Sequence, residues 1–208
     1  MAECYSPFFE GRVEQEIVMN TYRLSAILLI AGFAVLMIAW LIGPRGIYQT
    51  LDLQRRVQII EDSKARWNIA QSLIGLSLLL TTIGFFVLNT RLYTVANAWV
   101  PTLGAVAFIF AFIPAALFLY RQTTDPLRSY EGAYSSMETL YYWLALAGLL
   151  LFGIAFLQAG LPAWLGYVTT GATLLFGIVF FLVSGARFLT PGLVAILSLV
   201  IAIFLLRQ

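Results

Sequence analysis

Six blocks of apolar residues, each close to the length that crosses a bilayer, dominate this chain. They lie near Leu24–Ile42, Ile69–Leu88, Val100–Tyr120, Thr139–Leu157, Trp164–Val183 and Phe188–Leu206. About 20 such residues in a helix cover the roughly 30 Å hydrocarbon layer. In lipid every backbone N–H and C=O needs an internal partner, so only helices and closed barrels can span. The blocks are continuously apolar rather than alternating, which selects helices over barrel strands. The reading is an all-α membrane protein: a single transmembrane domain of about six helices over residues 24–208, after an N-terminal tail over residues 1–23.

Composition narrows the chemistry. The chain is 61% hydrophobic and 11% charged, too apolar for one soluble core to absorb. Its net charge is +2, from 12 basic and 10 acidic residues, and no basic face marks it for nucleic acid. Histidine is absent and Cys4 is the only cysteine. An intramolecular disulfide is therefore excluded, as are Cys/His zinc sites, His-ligated haem and any His-dependent nucleophilic triad. No phosphate-binding Gly-rich loop with Lys and no nucleophile elbow occurs. No catalytic residue, cofactor or resident metal is expected.

The first apolar block follows an acidic stretch and is nearly a full span, so it is not read as a cleavable leader. Met19 offers a second sensible start, with the residues before it as a short flexible tail. Two connections are long, Gly43 to Asn68 and Arg121 to Glu138. In the first, Ile47, Leu51, Val57 and Ile60 recur loosely at helical spacing, as in a short helix on the membrane surface or a solvated helical loop. With six spans both termini share a side. That side holds Arg12, Arg23, Arg91 and Arg207, against eight basic residues on the side of the long loops. The excess of Lys and Arg places loops 43–68 and 121–138 in the cytoplasm.

No Asp, Glu, Lys or Arg lies in the central part of any block. Ionisable groups at depth mark proton relays, voltage sensors and ion paths, so those functions are disfavoured. The richest polar cluster stands at the entry to the fourth span. There Tyr134, Glu138 and Tyr142 share a helix face at i, i+4 spacing, with Arg128 just before. These four are the candidate ligand or headgroup site. The alternative is an aromatic belt, since Tyr and Trp concentrate at interfaces. Ser77 and Thr81 in span two and Thr173 in span five are candidate interhelical polar contacts, each contributing about 0.5–2 kcal/mol.

Small residues suggest packing stripes at Ala107, Ala111 and Ala115, and at Thr169, Thr173 and Gly177. Pro114 is expected to kink span three. Gly75 to Arg91 and Gly171 to Arg187 have equal spacing and similar intervening residues. A repeat of that kind would make the halves two inverted three-helix units, an arrangement that recurs in transporters. Apolar helices also match one another by composition alone.

From Ala145 onward the chain resembles a family of bacterial six-span integral membrane proteins, a domain of unknown function. The likeness is carried by the run from Gly148 to Gly166 and by its Gly160, Pro162, Trp164, Leu165 and Gly166 turn between spans four and five. The charged first loop departs from that family. The resemblance implies a six-span fold in the bacterial inner membrane and lends no activity. The function expected is structural, accessory or small-ligand-binding, with a permease for a neutral or amphiphilic solute as the alternative. The partners expected are membrane lipid and either a second copy of the chain or the subunits of a membrane complex.

Overall fold

A computed structural model describes residues 7–47, 52–130, 132–133, 135–182 and 190–207, with side chains from Met19 onward except at residues 130 and 190. The described residues form eight helices and no strand. They are α1 (Pro7–Ile42), α2 (Leu53–Asp62), α3 (Lys64–Val95), α4 (Trp99–Thr124), α5 (Pro126–Tyr130), α6 (Ser135–Gln158), α7 (Ala163–Leu182) and α8 (Thr190–Leu205). Five stretches are long and apolar enough to span: Met19–Ile42 of α1, then α3, α4, α6 and α7. The sixth apolar helix, α8, is described over 16 residues, about 24 Å of rise. The protein is an all-α, multi-pass membrane protein.

The helix ends have local causes. Asp52 caps α2 by accepting a bond from the Gln54 N–H at 3.0 Å. Arg66 extends α3 below the apolar block and donates from Nε to the Ile42 carbonyl at 3.1 Å, tying the start of α3 to the end of α1. Gly160 takes a left-handed conformation (φ 69°) just past α6, and Pro162 precedes the first residue of α7. The Asn97 N–H donates to Gln158 Oε1 at 3.3 Å, joining the two turns on the face of the termini. α4 stays one helix through the buried Pro114. α1 begins at Pro7, so the span continues backward as helix through much of the tail.

The helices alternate in direction, and α3 packs against both α1 and α4. α6 packs against α4 and α7, and α8 lies against α1. Contacts from α8 to α6 and α7 are slight among the described residues, so the two three-helix halves are packed differently. Arg187, which closes the second member of the spacing match, lies outside the described residues. Glycines set the closest approaches. A Cβ on Gly148 would fall 2.8 Å from the Phe108 ring across α4 and α6. A Cβ on Gly166 would fall 3.0 Å from the Gly153 carbonyl across α6 and α7. In the alanine stripe Ala111 and Ala115 are buried; in the threonine stripe Thr169 and Thr173 are buried, while Gly177 has open space beside it.

Outward faces are apolar, with Phe181 and Leu41 about four-fifths exposed at 80% and 78%, as lipid-facing residues require. Exposed Trp40 and Tyr120 stand at one end of the bundle, and Tyr93, Trp99 and Trp164 at the other, two aromatic girdles. α2 lies outside the spans at the long-loop end. Ile60 joins Ile47 and Trp67 in a small buried cluster there, with Ile59 packed against it.

Candidate functional site

The polar residues of α3 and α6 meet at a cavity in the long-loop half of the bundle. Its volume is about 540 Å³. α1 contributes Leu36 and Trp40, and α3 contributes Gln71, Ile74, Ser77, Leu78 and Thr81. Ala115, Phe118, Leu119 and Gln122 come from α4, and Pro191, Val194 and Ala195 from α8. Glu138, Tyr141 and Tyr142 form the α6 wall, and Arg56 reaches in from α2. No described α7 residue lines it. A second cavity of about 370 Å³ lies between the 43–47 turn and α3, and shares Trp40, Gln71 and Ile74 with the first.

The walls are mostly apolar with a few polar groups. Arg56, Glu138 and Gln71 stand toward the long-loop end, by their positions in α2, α6 and α3. Leu36, Leu78 and Ala115 stand deeper, together with the polar Ser77 and Thr81. Outside the lining, one turn past Thr81 on α3, Phe85 belongs to a phenylalanine cluster of the bundle core. Phe85 and Phe108 stack at 4.3 Å with an interplanar angle of 9°, and Phe152 lies 4.8 Å from Phe85. Phe85 and Phe152 are fully buried.

Glu138 and Tyr142 come together as their helical spacing directs. The Tyr142 hydroxyl donates to Glu138 Oε1 at 2.5 Å, a length typical of charge-assisted bonds to a carboxylate. Tyr134 lies outside the described residues. Arg128 sits on α5, exposed, 3.8 Å from the Asp125 carboxylate, and is not on the cavity wall. Ser77 donates across α3 and α1 to the Gly32 carbonyl at 2.7 Å. Thr81 packs against the same glycine, whose Cβ would fall 2.7 Å from Thr81 Oγ1. Thr173 donates within its own helix to the Thr169 carbonyl at 2.6 Å.

Two wall residues hold buried polar atoms with no hydrogen-bond partner among the described residues, Gln71 Oε1 and Tyr141 Oη. Gln71 is 3% exposed and Tyr141 7%. An unmet polar group in a low-dielectric interior is costly, about 1–3 kcal/mol. The sequence marks Gln71 only as one of the general polar residues of span two. Arg56 and Trp40 carry no sequence signal for this site, because α1 has no apolar stripe and the helical spacing of Val57 and Ile60 on α2 does not say what α2 docks against. Among the described residues no group of three or more His, Cys, Asp or Glu comes together to hold a metal. Comparison with family models, with characterised proteins and with solved structures finds no match to this chain.

Proposed function

We propose that this protein binds a small amphiphile in the cavity between α1, α3, α4, α6 and α8. The observation that carries the reading is the mostly apolar wall with few polar side chains: Glu138 and Gln71 toward the outer end, and Leu36, Leu78 and Ala115 with Ser77 and Thr81 deeper. A volume of about 540 Å³ falls within the range of small-molecule sites, which are mostly apolar with a few placed polar groups. An amphiphile would lie with its head at the mouth and its tail running inward, parallel to lipids of that leaflet. The role is binding rather than catalysis, because the described walls offer one carboxylate, one guanidinium and no nucleophile–base pair. The basic residues of the long loops favour a cytoplasmic mouth. A bacterial inner membrane is the setting that the family resemblance suggests.

Transport of such a solute would require a path through the packed core that holds Phe85, Phe108 and Phe152. Binding without passage is therefore the reading preferred. It is tested by releasing the protein from lipid nanodiscs into a native mass spectrometer. The expected spectrum shows a retained small-molecule adduct that Ala195→Leu removes. Identical spectra for wild type and variant, with no adduct in either, would refute it.

A further inference from the structure

The composition of the mouth narrows the ligand further. Among the described residues Glu138 is the one carboxylate on the cavity wall. It stands in the first turn of the spanning helix α6 and is half-buried. One of its oxygens accepts from Tyr142, which leaves the other to meet a ligand. Four of the described aromatic residues share the cavity wall with it. Tyr141 and Tyr142 have ring centroids 5.2 Å apart, tilted by 56°, and Trp40 and Phe118 line the walls from α1 and α4. The basic wall residue, Arg56, belongs to α2, which lies outside the spans at the rim. A carboxylate among aromatic rings in a site of reduced dielectric suits an organic cation. Ring quadrupoles attract it, and it meets the negative charge without demanding directional hydrogen bonds.

We infer that the head group selected by this cavity is an alkylammonium cation, held by Glu138 among Trp40, Tyr141 and Tyr142, with an apolar tail running inward past Leu78 and Ala115. The inference rests on the binding reading above and names the ligand class for that same site. Anionic heads would meet Glu138 on the wall and, among the described lining residues, Arg56 as the one cation. Neutral heads could donate a hydrogen bond to the carboxylate but would gain no charge–charge attraction.

The test is equilibrium dialysis of the protein in nanodiscs, with empty nanodiscs subtracted, against four probes of equal chain length: octyltrimethylammonium, octanol, octanoate and octylphosphocholine. The expected result is about tenfold tighter binding of octyltrimethylammonium than of octanol, and weaker binding of octanoate. Glu138→Gln should bring the ammonium probe to parity with octanol, with wild-type helical circular dichroism and gel-filtration elution showing that the variant is folded. Arg56→Gln should tighten the ammonium probe by removing a like charge. Equal binding of ammonium and octanol in wild type would overturn the cation inference and leave the cavity reading standing. Tightest binding of octanoate would overturn it in favour of an anionic head, and tightest binding of octylphosphocholine would overturn it in favour of a zwitterionic head. If none of the four binds above empty nanodiscs, both the inference and the binding reading fail.

Discussion

Two glycine-to-alanine substitutions in this bundle should change stability in opposite directions although the chemistry is the same. A Cβ at Gly153 on α6 would contact Thr170 on α7, reaching its hydroxyl and lying 2.9 Å from its backbone nitrogen and 3.2 Å from its Cα. The obstacle is backbone, which a side-chain rotation cannot remove. The opposing Gly166 is equally tight, since a Cβ there would lie 2.5 Å from Leu157 Cγ, so the helices cannot slide to make room. Overpacking of this kind costs about 1–3 kcal/mol. Replacing a mid-helix glycine by alanine recovers about 1 kcal/mol of helix propensity. Gly153→Ala should thus lose up to about 2 kcal/mol. Gly177→Ala on α7 meets nothing within 4 Å and should gain about 0.5–1 kcal/mol. The pair should differ by several degrees in melting temperature, measured by thermal unfolding in nanodiscs. If Gly177→Ala destabilises as much as Gly153→Ala, the assignment of the α6–α7 crossing to these glycines is wrong.

Three further outcomes follow from the packing. Ser77→Ala removes the bond to the Gly32 carbonyl, a span-to-span contact of 2.7 Å, and should lower stability by about 0.6 kcal/mol in equilibrium unfolding from mixed micelles. Ala195→Leu adds bulk to the cavity wall; it should weaken octanol binding at least about tenfold while leaving the melting temperature within a degree or two, as read by dialysis and calorimetry. Phe85→Leu loses the 4.3 Å stack with Phe108 and should cost about 0.5–1.5 kcal/mol beyond any change in buried area, resolved by a double-mutant cycle with Phe108→Leu.

The helices were legible because an uninterrupted apolar run of about 20 residues has the length and chemistry of a membrane span. Their ends were less so. α3 runs from Lys64 to Val95, beyond the apolar block on both sides, because a helix does not stop where hydrophobicity stops. The i, i+4 pair Glu138 and Tyr142 was legible because that contact lies within one helix. The cavity was not. These spans are apolar on every face, so no amphipathic stripe announces how each is turned, and the meeting of Gln71, Trp40 and Tyr141 depends on those rotations. Arg56 enters from a loop helix whose docking the sequence leaves open. The same blindness applies to glycine: Gly153 and Gly166 carry a helix crossing, while Gly171 and Gly177 face open space.

The proposed amphiphile site lies in the long-loop half of the bundle, between α1, α3, α4, α6 and α8. An experimental density map of the protein in native lipid tests it most directly. The expected map shows elongated density that begins beside Gln71 and Glu138 and runs inward past Leu78 and Ala115. A map in which α8 closes against α3 and α6, leaving no void between Gln71 and Ala195, would contradict it.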